Sequence, residues 1–297
     1  MSDKAISQPG IYRISEDVYH SDPCKVPSVS RGVICNLINS TPAHAKFYHP
    51  QLNPDYVSEE KKTFDMGTAA HSLFLEGIDC CTVIDAPDWR SKDAKTAREE
   101  AYLSGKTPLL KHQHSDVVQM VSAAYAQLQA SEIGIKDLLA EGDSELTYIW
   151  QEDETFCRVR PDWISHKQIG GRKLILDYKT VGESADPNAF IRKVFSMGYD
   201  IQHSFYRQGV KAIEGGDSPR FLFMVQENFA PYLCSFIGLD SMTIQIASEK
   251  VKYGLSVWNQ CMESGEWPAY PKRVCYVETP SWALAQWEQK SLLVGTE

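Results

Sequence analysis

The sequence predicts an α/β protein in which helices flank a mixed sheet of about five strands. The first half of the chain is dominated by segments whose apolar residues recur at helical spacing. From about residue 145, short runs of alternating or continuous apolar residues appear, and helical patterns lie between and after them. Helices that alternate with strands in this way are expected to cover the faces of one sheet.

Four helical segments, and a fifth that is either helical or mobile, are predicted before residue 140. In the first two, Ser28 or Ser30 is a candidate N-cap, and Thr41 before Pro42 is a typical helix start. The segment "TFDMGTAAHSLFLEG" predicts a helix that ends at Gly77. Residues 88–107 predict an exposed helix or a mobile segment, and "SDVVQMVSAAYAQLQAS" predicts a helix packed on the core.

Five strands are predicted after residue 144. The stretch "ELTYIWQEDETFCRVRPDWISHKQIGGRKLILDYKT" predicts three strands joined by two turns, and "RFLFMVQEN" and "YLCSFIGLD" predict two more. Helices are predicted in "PNAFIRKVFSMGYDIQHSFYRQGVKAI" and in a long segment that ends at Gly265. The tail, with Trp267, Trp282 and Trp287, is predicted to be a packed extension.

We expect one domain over residues 1–297, because this length is sufficient to bury a large core. It divides into a helical part over about 1–140, a sheet-containing catalytic core over about 141–270 and a C-terminal extension over 271–297. No apolar run approaches the ~18 residues of a membrane span, and the N-terminus lacks the apolar core of a signal peptide. The eight cysteines show no disulfide framework, so we expect a reduced protein in the cytoplasm.

The charge is unevenly distributed along the chain. The net charge of −9 disfavours a protein that coats nucleic acid, but residues 158–193 carry +4 and the remainder −13. A local basic patch on an acidic protein can still bind a polyanion, although an ordinary mixed surface explains the same composition. His112 and His114 form an H-x-H pattern in a predicted polar loop, and without partner cysteines this pattern does not indicate zinc.

The strand "KLILDYKTV" carries the candidate chemistry. Because side chains alternate along a strand, Asp177 and Lys179 lie on the same face. A surface ion pair at a strand end is the simplest explanation of this pair taken alone. However, the predicted hairpin brings Asp162 within about two residues of register with Asp177. Two carboxylates and a lysine at a strand end suit Mg²⁺-dependent phosphodiester hydrolysis, since hard cations take oxygen ligands.

These residues resemble a known family. "RPDWI" followed by "LILDYKT" resembles the core of the PD-(D/E)XK nuclease superfamily, which has a restriction-endonuclease-like fold. "MGTAAH" is similar to the histidine motif of RecB-type nucleases, and "QHSFY" matches their Q-x-x-x-Y motif. The motifs occur in the family's order over residues 67–206. The N-terminal "GIYRISEDVYH" and "PSVSRGVICNLINSTPAHAKFY" resemble more specifically the exonuclease VIII (RecE) type of phage recombination exonuclease.

The resemblance implies a Mg²⁺-dependent exonuclease, with Mn²⁺ as a substitute, that degrades one strand of linear duplex DNA from the 5′ end. It implies metal ligation by His71, Asp162, Asp177 and the backbone carbonyl of Tyr178, with Lys179 positioning or activating water. Glu145 is either a further candidate metal ligand or a solvated acid at a strand end. Gln202 and Tyr206 either clamp the DNA backbone or the catalytic lysine, or cap a core helix. Candidate phosphate contacts are Arg158, Arg160, Arg192 and Lys193.

The resemblance also implies a homo-oligomer and an annealing partner, and three alternative functions remain open. Such enzymes resemble ring-shaped homo-oligomers, with a tetramer favoured, that pass 3′ single strands to an annealing protein in a bacterial host. A structure-selective or restriction-like endonuclease on the same fold is the first alternative. A catalytically idle DNA-binding or assembly module is the second, although it has no need of the Asp, Asp-x-Lys and His set. A metabolic enzyme with a chance "DYKT" is the third.

Overall fold

The strands of the protein form three separate sheets in the computed structural model, which describes residues 5–57, 65–131, 139, 141–168 and 170–294. The strands are Gly10–Tyr12 (β1), Cys81–Ile84 (β2), Thr107–Leu110 (β3), Gly142–Ser144 (β4), Thr147–Glu152 (β5), Thr155–Val159 (β6), Trp163–Ser165 (β7), Leu174–Val181 (β8), Arg220–Glu227 (β9) and Cys234–Ile237 (β10).

The helices precede, separate and follow these strands. They are Glu16–His20 (α1), Arg31–Asn39 (α2), Pro42–Phe47 (α3), Asp65–His71 (α4), Lys92–Leu103 (α5), Lys111–Ala130 (α6), Pro187–Ser196 (α7), Tyr199–Glu214 (α8), Ser241–Ser264 (α9) and Ser281–Val294 (α10). A π-helical turn, Ser72–Glu76, continues α4. The predicted helix ends at Gly77 and Gly265 are confirmed, and both glycines adopt the left-handed conformation that ends helices without a steric cost.

The central sheet is mixed and has five strands in the order β10-β9-β8-β7-β4. Strands β8 and β9 pair in parallel over eight residues, and the other neighbours are antiparallel. Strand β8 is a nearly continuous apolar run because both of its faces are covered. The predicted α/β class, with a mixed sheet of five strands flanked by helices, is confirmed.

Two predicted strands lie elsewhere than expected. Strands β5 and β6 pair with each other, and β5 also pairs with β1, in a separate three-stranded sheet. The predicted strand "TFCRVRPDW" is divided near Pro161, which has no N–H to donate to a ladder. After this break the short strand β7 joins the central sheet and pairs with β8.

The two faces of the central sheet bury different helices. Alternate residues of β8 point to opposite sides, so Ile175 and Val181 pack in a cluster that includes Phe190, Phe205 and Trp258 from α7, α8 and α9. Leu174, Leu176 and Tyr178 pack in a second cluster that includes Ala70 and Phe74 from α4 and the following turn and Met120 from α6. Asp177 and Lys179 share the face of Ile175, towards α8.

The prediction of a packed C-terminal extension is wrong for most of its length. Trp267 packs edge-on against Trp258 with ring centroids 5.4 Å apart. Trp282 and Trp287, on α10, are 65% and 68% exposed. Apolar composition alone predicted burial, but no neighbouring element among the described residues covers these two rings. In the same described part of the chain, no helix is both long and apolar enough to cross a membrane.

Candidate metal centre

The centre is built on the last part of β8, where Asp177 and Lys179 lie on one face. Lys179 Nζ is 2.6 Å from Asp177 Oδ2, and the Asp177 side chain is only 1% exposed. A surface ion pair would leave both groups in water, whereas this carboxylate is buried beneath the lysine. The solvated explanation of the pair is therefore wrong.

Asp162 joins Asp177 through the pairing of β7 with β8. Trp163 pairs with Leu176, so the residue before β7 lies beside the residue after Leu176, as the predicted hairpin requires. The Tyr178 backbone N–H donates to Asp162 Oδ2 over 3.0 Å, which holds the carboxylate at the end of the strand. The Tyr178 backbone N–H thus positions the Asp162 carboxylate, and metal ligation by the Tyr178 carbonyl stays a prediction.

His71 comes from the other face of the sheet, at the end of α4. Its Nε2 lies 3.2 Å from Asp162 Oδ2 and 3.5 Å from Glu145 Oε1. Helix α4 approaches β8 closely because Gly67 has no side chain, and a Cβ there would lie 2.8 Å from Thr180 Oγ1. The glycine of the Gly-x-x-x-His pattern therefore sets the position of its histidine.

Glu145 completes a group of three candidate ligands. Side-chain donor atoms of His71, Glu145 and Asp162 lie within 4.8 Å of one another. Arg160 Nε is 3.0 Å from Glu145 Oε2 and also donates to the Glu145 carbonyl oxygen. Glu145 has φ of 57°, a strained conformation for a residue other than glycine, and such strain persists where the surrounding contacts hold it. Glu145 is thus held beside the other ligands rather than solvated at a free strand end.

The electrostatics of the group favour a divalent cation. Burial and the nearby Asp162 charge raise the pKa of Asp177 to about 6 and that of Glu145 to about 7. Burial alone would lower the pKa of His71, but the Asp162 and Glu145 carboxylates outweigh it and raise the value to about 9. Buried carboxylates that repel one another are stabilised by a cation, and oxygen donors suit Mg²⁺ or Mn²⁺. The residues present therefore fit a divalent ion, whose identity the donor set leaves open between these metals.

The Q-x-x-x-Y residues lie on α8 and have different environments. Gln202 is buried, and its Nε2 donates to Asp177 Oδ1, so it orients the carboxylate from the helix. Tyr206 is also buried and packs edge-on against Phe221, with ring centroids 6.3 Å apart. The structure brings Gln202 into the centre and leaves Tyr206 in the adjoining core cluster.

Tyr199 is a residue of the centre that sequence reasoning missed. Lys179 Nζ lies 5.2 Å from the centroid of the Tyr199 ring, within range of a cation–π interaction. The Arg31 guanidinium lies 5.6 Å from the same centroid. Tyr199 precedes Gln202 by three residues, so the helical spacing was an available signal that both face β8.

One predicted phosphate contact is corrected. Arg158 is 4% exposed, lies 3.1 Å from Asp22 Oδ1 and donates to the Ser28 carbonyl oxygen and hydroxyl. An arginine that is buried and fully engaged in this way is not available to DNA. Strand alternation could not reveal this, because both partners belong to the N-terminal part of the chain, far from Arg158 in the sequence.

The basic segment 158–193 is also less positive than its composition suggested. Seven of its eight cations have a carboxylate partner within 4.0 Å, and only Arg192 has none among the described residues. The pairs are Arg158–Asp22, Arg160–Glu145, Lys167–Glu141, Arg172–Asp217, Lys173–Glu214, Lys179–Asp177 and Lys193–Glu183. Acids from outside the segment neutralise much of the predicted patch, because folding brings distant charges together.

Replacing Gly67 with alanine should lower metal-dependent DNA hydrolysis, the activity that the resemblance implies, on the order of tenfold, because displacing a reacting or ligating group reduces a rate steeply. The new Cβ would meet Thr180 Oγ1 at 2.8 Å and push α4, with His71, away from β8. The initial rate on linear duplex DNA measures the effect. Gly32→Ala is the matched control, since its Cβ would meet no atom closer than 3.7 Å. Adding Thr180→Ala to Gly67→Ala should restore activity, and full activity of the single variant would contradict the prediction.

Metal binding should release about one proton near pH 7.5, because a histidine ligand must be neutral. In the metal-free protein the pKa of His71 is about 9, so the imidazole is protonated at that pH. Metal affinity should therefore rise with pH until about pH 9. Calorimetry in buffers of different ionisation enthalpy measures the released proton. His71→Ala should remove most of the release and leave the smaller part that comes from Glu145, whose pKa is about 7, whereas His166→Ala, whose imidazole pairs with Asp143 over 2.7 Å, should retain the full release. Metal binding with no proton release would remove His71 from the ligand set.

Comparison with solved structures agrees with this fold. A protein from Eubacterium rectale, provisionally described as an exonuclease, aligns with 93% of this chain and 98% of its own at 16% identity, with a TM-score of 0.58. At that identity the likeness concerns the fold. The solved structure of SSO0001 aligns with 66% of this chain and 88% of its own at 11% identity, and its TM-score of 0.25 supports no argument.

Comparison with sequences identifies the family. No curated protein matches the chain significantly. The profile of a family described as a PDDEXK-like domain of unknown function (DUF3799) matches residues 36–280, which include the residues of the metal centre described above. The profile covers most of the chain, and the protein therefore belongs to this PDDEXK-like family.

Proposed function

We propose that this protein is a divalent-metal-dependent deoxyribonuclease that digests linear duplex DNA from its 5′ ends. The observation that carries the nuclease part is the meeting of Asp162, Asp177, Lys179 and His71 at the end of β8. These residues come from α4, from the turn before β7 and from β8 itself. A binding module would have no use for buried, mutually repelling carboxylates beside a lysine.

Each residue has a distinct part in this proposal. Asp162, Glu145 and His71 hold the metal, and Gln202 keeps the Asp177 carboxylate directed to the same point. Burial by itself would lower the pKa of Lys179, but the Asp177 and Asp162 carboxylates outweigh this effect and raise the pKa of the lysine. Lys179 therefore remains an ammonium group, suited to orienting a water molecule and to offsetting charge that develops on the phosphate. A bound divalent ion supplies Lewis acidity and lowers the pKa of a coordinated water.

The preference for 5′ ends rests on the resemblance to RecE-type exonucleases. The description of the E. rectale protein as an exonuclease supports digestion from DNA ends but names no polarity. The carboxylate–lysine geometry serves end-directed and internal hydrolysis equally, since both break the same bond. Substrate topology must therefore distinguish them.

The test is digestion of three DNA substrates with and without Mg²⁺ or Mn²⁺. The substrates are linear duplex labelled at the 5′ end, the same duplex labelled at the 3′ end, and closed circular duplex. We expect early metal-dependent release of the 5′ label, later release of the 3′ label and intact circles. Cutting of closed circles would identify an endonuclease, and no degradation with either metal would identify an idle module.

The assembly proposed with this activity is a homo-oligomeric ring, with a tetramer favoured, that delivers 3′ single strands to an annealing protein. The support for it is the same resemblance. Because carboxylates pair with most cations of residues 158–193, this segment cannot by itself provide a basic channel lining. Arg31 and Arg192, which have no carboxylate partner among the described residues, are better candidates for phosphate contact. Light scattering of the purified protein tests the assembly, and a monodisperse monomer would contradict it.

A further inference from the structure

A second group of metal-ligating side chains lies outside the metal centre and shares no residue with it. Asp79, Cys81 and His114 each place a donor atom within 4.8 Å of the other two. Asp79 precedes β2, Cys81 is its first residue, and His114 lies in the first turn of α6. The group therefore joins two elements that are separated in the sequence by α5 and β3.

Local contacts already direct these side chains to one point. Asp79 Oδ1 accepts a hydrogen bond from the Cys81 backbone N–H over 3.1 Å, which holds the carboxylate at the start of the strand. Asp79 Oδ2 lies 3.0 Å from His114 Nε2. Cys81 is half-buried and packs against the second core cluster, so its position is set by the core. The prediction of a polar loop without a partner cysteine is wrong here, because the H-x-H pattern begins α6 and His114 meets Cys81.

The donor set selects the class of metal. One thiolate, one imidazole and one carboxylate suit Zn²⁺, whereas Mg²⁺ and Ca²⁺ prefer oxygen ligands alone. Zinc–ligand bonds of about 2.0–2.3 Å in a tetrahedral site place donor atoms about 3.3–3.8 Å apart. Movements of about one ångström would bring the three donors to that spacing, and water would complete the coordination. An exposed His114–Asp79 ion pair alone would contribute little to stability and leaves the thiol unexplained.

A metal at this position would support the small two-stranded sheet of β2 and β3. Strands β2 and β3 pair only with each other among the described strands, in parallel over four residues. A two-stranded sheet is marginal in water unless another element supports it. A metal held by Asp79, Cys81 and His114 would fasten the start of β2 to the start of α6, which packs on the central sheet.

We infer that Asp79, Cys81 and His114 form a Zn²⁺ site that fastens β2 to α6, separate from the nuclease centre. The proposal does not depend on the proposed nuclease activity, since none of its ligands belongs to that centre. It is a stabilising site, so its loss should lower the melting temperature before it affects the chemistry.

The test uses Co²⁺ as a spectroscopic substitute for Zn²⁺ in the reduced, metal-free full-length protein. A thiolate ligand gives Co²⁺ a near-ultraviolet charge-transfer band, and none of the described ligands of the nuclease centre is a sulfur. We expect this band to saturate at one equivalent and to disappear when Zn²⁺ is added. Cys81→Ser should abolish the band, and His114→Ala should weaken Co²⁺ binding at least tenfold, since even residues that only orient ligands cost that much.

Two controls match the ligands closely. His112→Ala removes the other histidine of the H-x-H pattern, and Cys80→Ser removes the neighbouring thiol. Both should bind Co²⁺ as the wild type does, and Zn²⁺ should raise their melting temperature. Asp177→Ala, which disables the nuclease centre, should also keep the band, so the two proposals fail separately.

Four outcomes would overturn the inference. They are the absence of a charge-transfer band, a band that survives in Cys81→Ser, a loss of the band in Cys80→Ser, and unchanged Co²⁺ affinity in His114→Ala. Circular dichroism of the metal-free variants establishes that each is folded. If Cys81→Ser does not fold, His114→Ala still decides, because its partly exposed side chain can be removed without opening the core, and unchanged Co²⁺ affinity in it would refute the site.

Discussion

Asp177→Ala and Asp162→Ala should each abolish metal-dependent DNA degradation, with a loss of about a thousandfold or more. Loss of a carboxylate at the metal centre removes several kcal/mol of transition-state stabilisation, and the rate falls exponentially with that loss. Asp162 is also held by the Tyr178 N–H and His71, so its removal leaves the histidine without one of its two carboxylate partners. The initial rate on end-labelled linear duplex measures the loss.

The fold should survive the loss of Asp177. The pKa of this acid is raised from 3.8 to about 6, so folding favours its protonated form and the ionised carboxylate opposes folding above about pH 6. Its removal relieves this cost but also takes a partner from the Lys179 ammonium, which keeps the Asp162 charge, so the melting temperature of the metal-free protein at neutral pH should fall only modestly.

Asp200→Ala is the matched control for the loss of DNA degradation and for the survival of the fold. Asp200 is also buried, and its Oδ2 lies 2.6 Å from Lys250 Nζ, but among the described residues it has no hydrogen bond or ion pair with Lys179, Gln202 or a candidate metal ligand. It should lose stability and keep its specific activity. If Asp177→Ala or Asp162→Ala kept a tenth of the wild-type rate, that acid would not be part of the centre.

Lys179→Ala should reduce the maximal rate of hydrolysis by about a hundredfold or more, a typical effect of removing a group that stabilises transition-state charge. Metal affinity should change little, because the ammonium group lies beside Asp177 rather than among the donors of His71, Glu145 and Asp162. Lys179→Arg should not restore the rate. A planar guanidinium cannot replace a compact ammonium that is enclosed by Asp177 and the Tyr199 ring.

Lys250→Ala is the control for the lysine variants. Lys250 also lies 2.6 Å from a buried aspartate and has a similar exposure, yet it faces Phe195 and not Tyr199. It should retain the wild-type rate. Calorimetric titration with Mg²⁺ and Mn²⁺ measures metal affinity separately from the rate of hydrolysis. If Lys179→Ala lost metal affinity to the extent expected of Asp162→Ala, the lysine would act through the metal site and not on the reacting phosphate.

The sequence determined what depends on neighbouring residues. Alternation along β8 placed Asp177 and Lys179 on one face, and the length of the turn after β7 placed Asp162 beside Asp177. Thr41 before Pro42 and the glycines at 77 and 265 marked helix ends correctly, because capping depends on the local backbone. The order of the motifs identified the family, and with it the place of His71.

The tertiary structure alone decided which distant groups meet. Arg158 is buried against Asp22, and Glu145, held in a left-handed conformation, lies among the candidate metal ligands. Likewise, His114 meets Cys81 only because α6 packs against β2. Periodicity states which face a residue occupies but not what covers that face. Burial and ion pairing depend on packing between elements that are distant in the sequence. This packing made Glu145 a candidate metal ligand, Arg158 a structural residue, and Asp79, Cys81 and His114 a candidate zinc site.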